Sequence, residues 1–445
     1  MKTIKQSVDV VVAGGGTAGH IAAIQAARAG VSVSLIEASS MLGGTMTDGG
    51  VFMPNHWHSP TETVVQGIGW ELFSRSKEIE GLRIKPPSER YGVDTPAYYS
   101  NINVPIYATV AEQAAIEAGV DIHYHEFIGE MAHDGNFWIV TSYARGIKRI
   151  TRCREIIDCS GDADVSRALG LQVEKSPKRQ PGTLEYRIEG IDMQQVWQGE
   201  VQKIYEKAMA DGELQKGDWA YFGIYPFQWF LQMGGHNSTH IYSCDTSDAD
   251  GQTKANIEGR ERMLRMYQFV RNKIPGAERA VLKTMYNRAL SREGYRVIGE
   301  HIVTEPEFMG AEKYEDAICN AFNYIDMHNE DNGCDEIFHD SASLIPAVPF
   351  RALIPKNTNR ITVAGRILSA DRVSLAGIRA QCTCMAMGQA VGAAAALAVK
   401  RGVYSRDVSA KDIVALTMEH GAVKPFNTKT VDVNKLATSE KPEMA

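Results

Sequence analysis

The sequence predicts an α/β fold: a buried parallel sheet flanked by helices, joined to a second segment of α+β character. Three observations predict it. An apolar, β-branched run near the start, Val8 to Ala13, leads straight into three spaced glycines and a helical pattern. The order strand, turn, helix returns in "CREIIDCSGDADVSRALG" and again in "NRITVAGRILSADRVSLAGIRAQCTCMAMGQAVGAAAALAVKRG". The 445 residues are enough for two or three domains, and 44% hydrophobic with 23% charged residues is the balance of a soluble globular chain.

The front of the chain carries the most specific signal. Val8 to Ala13 has the length and composition of a buried strand. Gly14-x-Gly16-x-x-Gly19 then opens a helix reaching about Arg28, and "VSVSLIEA" is a second strand ending on Glu37. Gly14 permits the tight turn, Gly16 lets backbone approach a pyrophosphate, and Gly19 lets helix and strand pack closely. With Thr17 and Ala18 they place helix N–H groups and the positive end of the helix dipole at the phosphates. Glu37 can accept from ribose hydroxyls, which favours a dinucleotide with a free ribose over NADP.

An NAD enzyme would usually continue into another crossover helix. Here "ASSMLGGTMTDGGVFMPNHWH" follows instead. Gly43, Gly44, Thr45, Gly49 and Gly50 give a flexible backbone suited to packing against a large flat ring. Next, "VDIHYHEFIGEMAHDGNFWIVTSYARGIKRITRCREIIDCS" alternates like strands joined by short turns, a β-meander ahead of the third strand of the nucleotide sheet. The third passage has a strand from Ile361 to Ala364, a turn at Gly365-Arg366, a loop, and the slim helix 379–398, "RAQCTCMAMGQAVGAAAALA".

Composition excludes several classes. A net charge of −7 without a dense basic run disfavours nucleic acid. The first apolar run ends in glycines, as a strand does and a signal peptide does not. The apolar core of 379–398 is short and small-residue for a membrane span. Seven scattered cysteines give no disulfide framework and no zinc or iron–sulfur spacing, so no metal is expected and a reduced, cytoplasmic chain is.

Taken together, these segments resemble the FAD-dependent oxidoreductases with a glutathione-reductase-like FAD domain. More narrowly, they are similar to the family that includes the FAD module of heterodisulfide reductase. The resemblance runs over nearly the whole chain, through "LGGTMTDGG", "VVQGIGWELFSRS", "DCSGDADVSRALG", "GTLEYRIEG", "SREGYRVIGEHIVTEPEF", "NYIDMH" and the closing segment. It implies a Rossmann-like FAD domain in two pieces, 1–170 and 345–405. A cap or substrate domain at 171–344 separates them, and a C-terminal helix and tail follow at 406–445. In the tail, "SAKDIVALTMEHGAV" is an amphipathic helix with Ser409 as its cap, and the last ten residues are expected to be disordered.

The resemblance further implies FAD bound non-covalently, rather than linked through a histidine, with its ADP half on the Gly14–Gly19 turn and Glu37. Ser160, Gly161 and Asp162 would approach the pyrophosphate or ribityl chain, and Gly365 and Arg366 would lie beside the ribityl chain. The helix beginning at Arg379 would point its N-terminus at the pyrimidine edge of the flavin, where a dipole end stabilises negative charge on the reduced ring. Gly388 and Gly392 would let it lie close to the nucleotide sheet.

There is one dinucleotide fingerprint, no second NAD(P) domain, and no CxxC after the first helix. The iron–sulfur ligands of the heterodisulfide reductase relatives are also absent. That leaves hydride transfer between flavin and a small polar molecule, sugar-like or hydroxy/keto, by a dehydrogenase, oxidase or reductase. The first acid–base candidates are His56 and His58 after the glycine run, and the candidates in the cap domain are His236, Asn237 and His240 in "GGHNSTHIYS". Arg292, Arg296 and His301 form a charged cluster that clamps an anion or locks the cap; Asp326 and His328 form an orienting or a structural pair. Many members of the family carry a histidine two residues after "SA" in the loop before the last helix. This chain has Arg372 there, a cation for a substrate carboxylate or for reduced flavin. Rival readings are a C=C reductase of the fumarate reductase type, a partner subunit for electron transfer, and a tRNA-modifying flavoprotein. A homodimer is the family-level expectation. The separate electron acceptor stays open among oxygen, NAD(P), quinone and protein.

Overall fold

Val10–Ala13 is buried at every residue and forms the centre of a five-stranded parallel sheet. The computed structural model describes residues 1–54, 56–59, 62–82, 84, 101–242, 244–341 and 343–426. Across the sheet the strands run Ile361–Val363, Glu155–Asp158, Val10–Ala13, Val33–Glu37 and Asp121–Tyr124. All four pairings are parallel. In chain order that is fifth, fourth, first, second, third, so the order reverses between the first and fourth strands. The crevice beyond their carboxyl ends is where an open sheet of this kind takes its ligand. The central strands are covered on both faces and therefore read as apolar runs without alternation.

The helix Gly19–Arg28 returns from the first strand and packs against the late helix Gln381–Arg401. The two touch backbone to backbone. A Cβ at Gly388 would collide with the Ala18 carbonyl, and one at Gly392 with the Ala22 carbonyl. The late helix starts two residues later than expected. A short helix, Arg372–Ile378, precedes it, and Arg379 and Ala380 form the break. It is long and apolar enough to cross a membrane, yet 83% of its apolar window is buried within the protein.

The meander differs in place from the expectation. Asp121–Tyr124 belongs to the parallel sheet as its third strand, so the meander precedes the fourth strand, not the third. Its strands are Phe127–His133, Trp138–Ala144 and Ile147–Cys153, all antiparallel. Lys2–Ser7, on which the sequence reading makes no assignment, adds a fourth strand parallel to Ile147–Cys153.

Between the fourth and fifth sheet strands lies a long insertion with a core of its own, built on Tyr186, Trp219, Phe227, Phe230, Met266 and Val270. Tyr186–Glu189 pairs antiparallel with Val281–Met285. The helix Ala249–Lys273 starts where the Asp248 carboxylate accepts from the Gly251 N–H at 2.8 Å. A hairpin, Ile325–His328 with Cys334–Ile337, closes the insertion. The tail helix Ala410–Glu419 begins at Ser409, whose Oγ accepts from the Asp412 N–H at 3.2 Å. The ten C-terminal residues lie outside the described residues. All seven cysteines are free and buried.

Candidate functional site

The crevice is floored by glycines, and at Gly14 and Gly19 no other residue fits. Gly14 has φ +91°, and a Cβ there would stand 2.5 Å from the Cys159 carbonyl oxygen. A Cβ at Gly19 would strike the Gly14 carbonyl. Gly16 is different: beside it only the Gly44 Cα comes as near as 4.0 Å, so its face is open. The Glu37 carboxylate, buried at the end of the second strand, accepts from the Gly15 N–H at 2.6 Å and the Ser39 N–H at 2.7 Å. Neither the helix Gly19–Arg28 nor the late helix has a side chain capping its start.

The glycine run after the second strand lies on this turn. The Gly43 N–H donates to the Gly15 carbonyl at 2.9 Å, Thr17 Oγ1 donates to the Gly43 carbonyl at 3.2 Å, and Gly44 sits against the Gly16 Cα. The Thr45 carbonyl accepts from the Val51 N–H at 3.0 Å. Further along, the expected ring-facing glycines meet side chains of the protein itself. Gly49 faces Leu290 and Gly50 faces the Tyr286 ring. The start of the late helix is tied to the same run, since Gln381 Nε2 donates to the Val51 carbonyl at 2.7 Å.

At the fourth strand, Asp158 organises the turn. Its carboxylate accepts from the N–H and hydroxyl of Ser160 (3.1 and 2.7 Å) and of Ser166 (2.9 and 2.8 Å). The Ser160 Oγ also accepts from the Asp164 N–H at 2.8 Å, so that hydroxyl is committed within the turn. Asp162 pairs with Arg366 at 2.8 Å. The Arg366 guanidinium also donates to the Gly161 and Ser291 carbonyls, so it braces three segments far apart in sequence. Gly365, at φ +89°, has only the Ala18 Cβ nearby, at 3.6 Å.

A second, polar region begins at the break before the late helix. Arg379 Nη2 donates to the Asp326 carbonyl at 2.9 Å, to its carboxylate at 3.3 Å and to Gln180 Oε1 at 3.2 Å. Asp326 Oδ1 meets His328 Nε2 at 3.1 Å, and His328 Nδ1 meets His240 Nε2 at 2.8 Å. Alongside, Glu185 Oε2 accepts from the Asn237 N–H at 2.8 Å and lies 3.5 Å from His236 Nδ1. Arg292 holds the Asn237 side-chain oxygen at 2.9 Å and the Pro181 carbonyl at 2.7 Å. The His236 ring packs edge-on against Phe52, with centroids 4.6 Å apart, just beyond the glycine run. Arg372 pairs with the buried Glu293 at 3.0 Å.

The electrostatics follow from burial. His240 is held well below its ordinary value by burial, then by His328 and Arg292, and His328 is pushed down to about 4 by burial and Arg292. Burial would raise Asp326, but His328 and Arg379 outweigh it and keep the carboxylate well below its usual range. Glu185 is raised by burial, against the pull of His236, the Asn237 N–H and Arg292. Buried atoms without a hydrogen-bond partner gather in this region: Gln180 Nε2, Glu185 Oε1, His236 Nε2, His240 Nδ1, Glu293 Oε2 and Arg379 Nε. Such atoms are rare in a folded protein, and a group of them singles this region out.

Thus His236, Asn237, His240, Arg292, Asp326, His328 and Arg379 come together. His56 is buried at φ +67°, with its ring against Phe322 and Tyr324, and is lowered to about 4 by burial and then by His58. His58 is buried with Nδ1 2.8 Å from the Ser59 carbonyl. Arg296 and His301 stand apart. Arg296 is buried against Ser176 and Glu174, and His301 pairs with Glu307 at 3.1 Å. A cleft of about 530 Å³ beside the tail helix, lined by Arg28, Trp70, Glu71 and His420, holds none of these groups. The sequence reading missed Asp158, Gln180, Glu185, Glu293 and Cys334. Glu185 had a usable signal, an acid inside the strand-like "GTLEYRIEG".

Comparison with known proteins adds the following. The family model described as FAD dependent oxidoreductase matches residues 9–416. No curated protein matches the sequence. Among solved structures, a geranylgeranyl bacteriochlorophyll reductase-like protein from Thermoplasma acidophilum is 13% identical with a TM-score of 0.45, over 93% of this chain and 83% of its own. The p-nitrophenol 4-monooxygenase PnpA from Pseudomonas putida is 13% identical with a TM-score of 0.39, over 94% and 85%. The anhydrotetracycline hydroxylase OxyS from Streptomyces rimosus is 15% identical with a TM-score of 0.29, over 41% of this chain; this chain spans 38% of its length.

Proposed function

The chain belongs to the FAD-dependent oxidoreductase family, and on that premise we propose that it moves a hydride between the flavin and a small polar molecule of the hydroxy/keto or sugar-like kind. FAD is its cofactor, and the residues present fit it. The side-chain-free face of Gly16 and the uncapped helix start would hold a pyrophosphate, and the Glu37 carboxylate would accept from a ribose. Bound FAD supplies the two-electron carrier.

The observation that carries the reading is His236. Both ring nitrogens are buried without a hydrogen bond, and Nδ1 is the one that lies near a carboxylate, 3.5 Å from Glu185 Oε2. A carboxylate at Nδ1 favours the Nδ1–H tautomer and leaves Nε2 as a base. That nitrogen takes the proton of a substrate hydroxyl as the carbon-bound hydrogen leaves as hydride; in reverse, it returns the proton to a ketone. Glu185 steadies the imidazolium so formed. The other buried polar atoms around it supply contacts for substrate oxygens.

The test is anaerobic titration of purified holoenzyme with 2-hydroxy acids, polyols and sugars, following the flavin absorbance band. Bleaching by one of them is the expected result, and His236→Asn should slow it by roughly 100-fold or more while keeping FAD. The proposal fails if every donor leaves the band unchanged while dithionite-reduced enzyme is re-oxidised by an enoate.

A further inference from the structure

A line of buried groups runs from the start of the late helix into the insertion, and it does not include His236. Arg379 holds Asp326, Asp326 Oδ1 meets His328 Nε2 at 3.1 Å, and His328 Nδ1 meets His240 Nε2 at 2.8 Å. Both rings are buried, and Tyr221 packs against each, 5.6 Å from His328 and 6.4 Å from His240. At the far end His240 Nδ1 is buried without a partner, with Tyr242 packed 5.9 Å away.

With the carboxylate ionised and both rings neutral, the pairings fix the hydrogen positions. An ionised Asp326 can only accept, so His328 Nε2 carries the proton. A neutral His328 then has a bare Nδ1, which can only accept, so His240 Nε2 must donate. A neutral His240 is left with a bare Nδ1. One carboxylate therefore fixes the tautomers of two rings, the second of which it does not touch.

We propose that Asp326, His328 and His240 form a proton relay between the insertion and the start of the late helix. A proton bound at His240 Nδ1 releases the Nε2 proton of that ring to His328 Nδ1. His328 then carries an N–H on both nitrogens, and its charge is held by the ionised Asp326 carboxylate at 3.1 Å. One N–H bond forms and one breaks at His240, which ends neutral with its tautomer reversed, and one N–H bond forms at His328. The reverse run restores the start. Asp326 and His328 act as positioning residues for His240, and the line does not depend on His236 being the base.

The ligand atoms of Asp326, His328 and Cys334 lie within 4.8 Å of one another, close enough for a divalent metal ion. Arg379 on Asp326, and Arg292 acting on both His328 and Cys334, already bring two positive charges there, which favours the hydrogen-bonded line. The Cys334 thiol instead lies 3.0 Å from Asp326 Oδ1 as a donor.

Nitrogen-15 NMR of histidine-labelled holoenzyme at pH 7 tests the relay without any substrate. Signals of the two rings are assigned by their loss in His240→Gln and His328→Gln. In the wild type both rings should be neutral and protonated at Nε2. In Asp326→Asn, Arg379 keeps the amide oxygen on its own side, so the amide N–H faces His328 Nε2. Both rings should then switch to the Nδ1–H form. The proposal is overturned if either wild-type ring is cationic at pH 7, if His240 keeps its tautomer in Asp326→Asn, or if the purified protein carries stoichiometric metal. Should Asp326→Asn not fold, the wild-type spectrum decides alone. Transfer itself is read by an indicator dye during viologen-mediated electrochemical reduction of weakly buffered holoenzyme, in which the reductant carries no protons. Proton uptake should slow roughly tenfold or more in His240→Gln, and uptake at the wild-type rate overturns the transfer step.

Discussion

Glu37 shows how much one side chain can settle. Its carboxylate holds the N–H groups of Gly15 and Ser39 and leaves lone pairs over for a ribose. Glu37→Ala leaves those two donors without an acceptor, a loss of about 1–3 kcal/mol. FAD retention on ultrafiltration should therefore weaken by roughly tenfold or more, while Glu37→Gln should keep part of it. Arg366 gives a second test at this scale. A lysine can keep the charge opposite Asp162 but cannot fork to the Gly161 and Ser291 carbonyls. Arg366→Lys should lower thermal stability measurably, by about 1–2 kcal/mol. Glu37 was legible in the sequence because its role depends on short spacing from a glycine turn. Glu185 was not, because its partner comes from another element: Asn237 lies 52 residues from Glu185 in sequence.

Helices and strands divide along the same line. The strand Val10–Ala13, the helix Gly19–Arg28 and the Ser409-capped tail helix follow local patterns, and the structure has them. The Lys2–Ser7 strand escaped notice because it is mostly exposed and its partner lies some 145 residues on, from Ile147. The break at Arg379 and Ala380 escaped as well, since nothing local to "IRAQC" forbids a continuous helix. Most exacting is the contact between the two long helices. Gly388→Ala puts a methyl group against the Ala18 carbonyl with no room to move aside. It should cost about 1–3 kcal/mol and shift the turn that faces the nucleotide. Calorimetry should show a lower melting temperature, and FAD should leave the variant more easily. Wild-type stability together with wild-type FAD retention would contradict the contact as described.

For the molecule as a whole, buried histidines set the response to acid. His20 and His56 are each pushed down to about 4, chiefly by burial, as is His328. In the unfolded chain such rings bind a proton below about 6.5. Between pH 6.5 and 4 the unfolded state therefore holds more protons, and stability falls as pH falls. Each ring contributes on the order of 3 kcal/mol across that window. Glu155 has the opposite sign. Burial raises it to about 7, so it is protonated when folded and ionised when unfolded, and its contribution is lost as pH rises from 4.5 to 7. Denaturant titrations at several pH values should show His20→Gln flattening the acid side of the stability curve. Glu155→Gln should flatten the opposite limb, and parallel curves for wild type and both variants would refute the assignment. None of this was legible beforehand, since composition counts histidines and carboxylates but not which of them the fold removes from water.

The closing of the sheet has a consequence in time. The strand Ile361–Val363 and the helix Gln381–Arg401 complete a layer whose other strands are made within the first 158 residues. The insertion, by contrast, draws its core from one continuous stretch. During synthesis, then, the nucleotide half must wait with its first helix uncovered until nearly the whole chain has emerged, while the insertion can settle earlier. A nascent chain halted before Ile361 should protect the insertion core from protease and bind no FAD. The same chain released past Arg401 should do both. The cradle for the nucleotide is the first signal in the sequence and the last part of the protein to be finished.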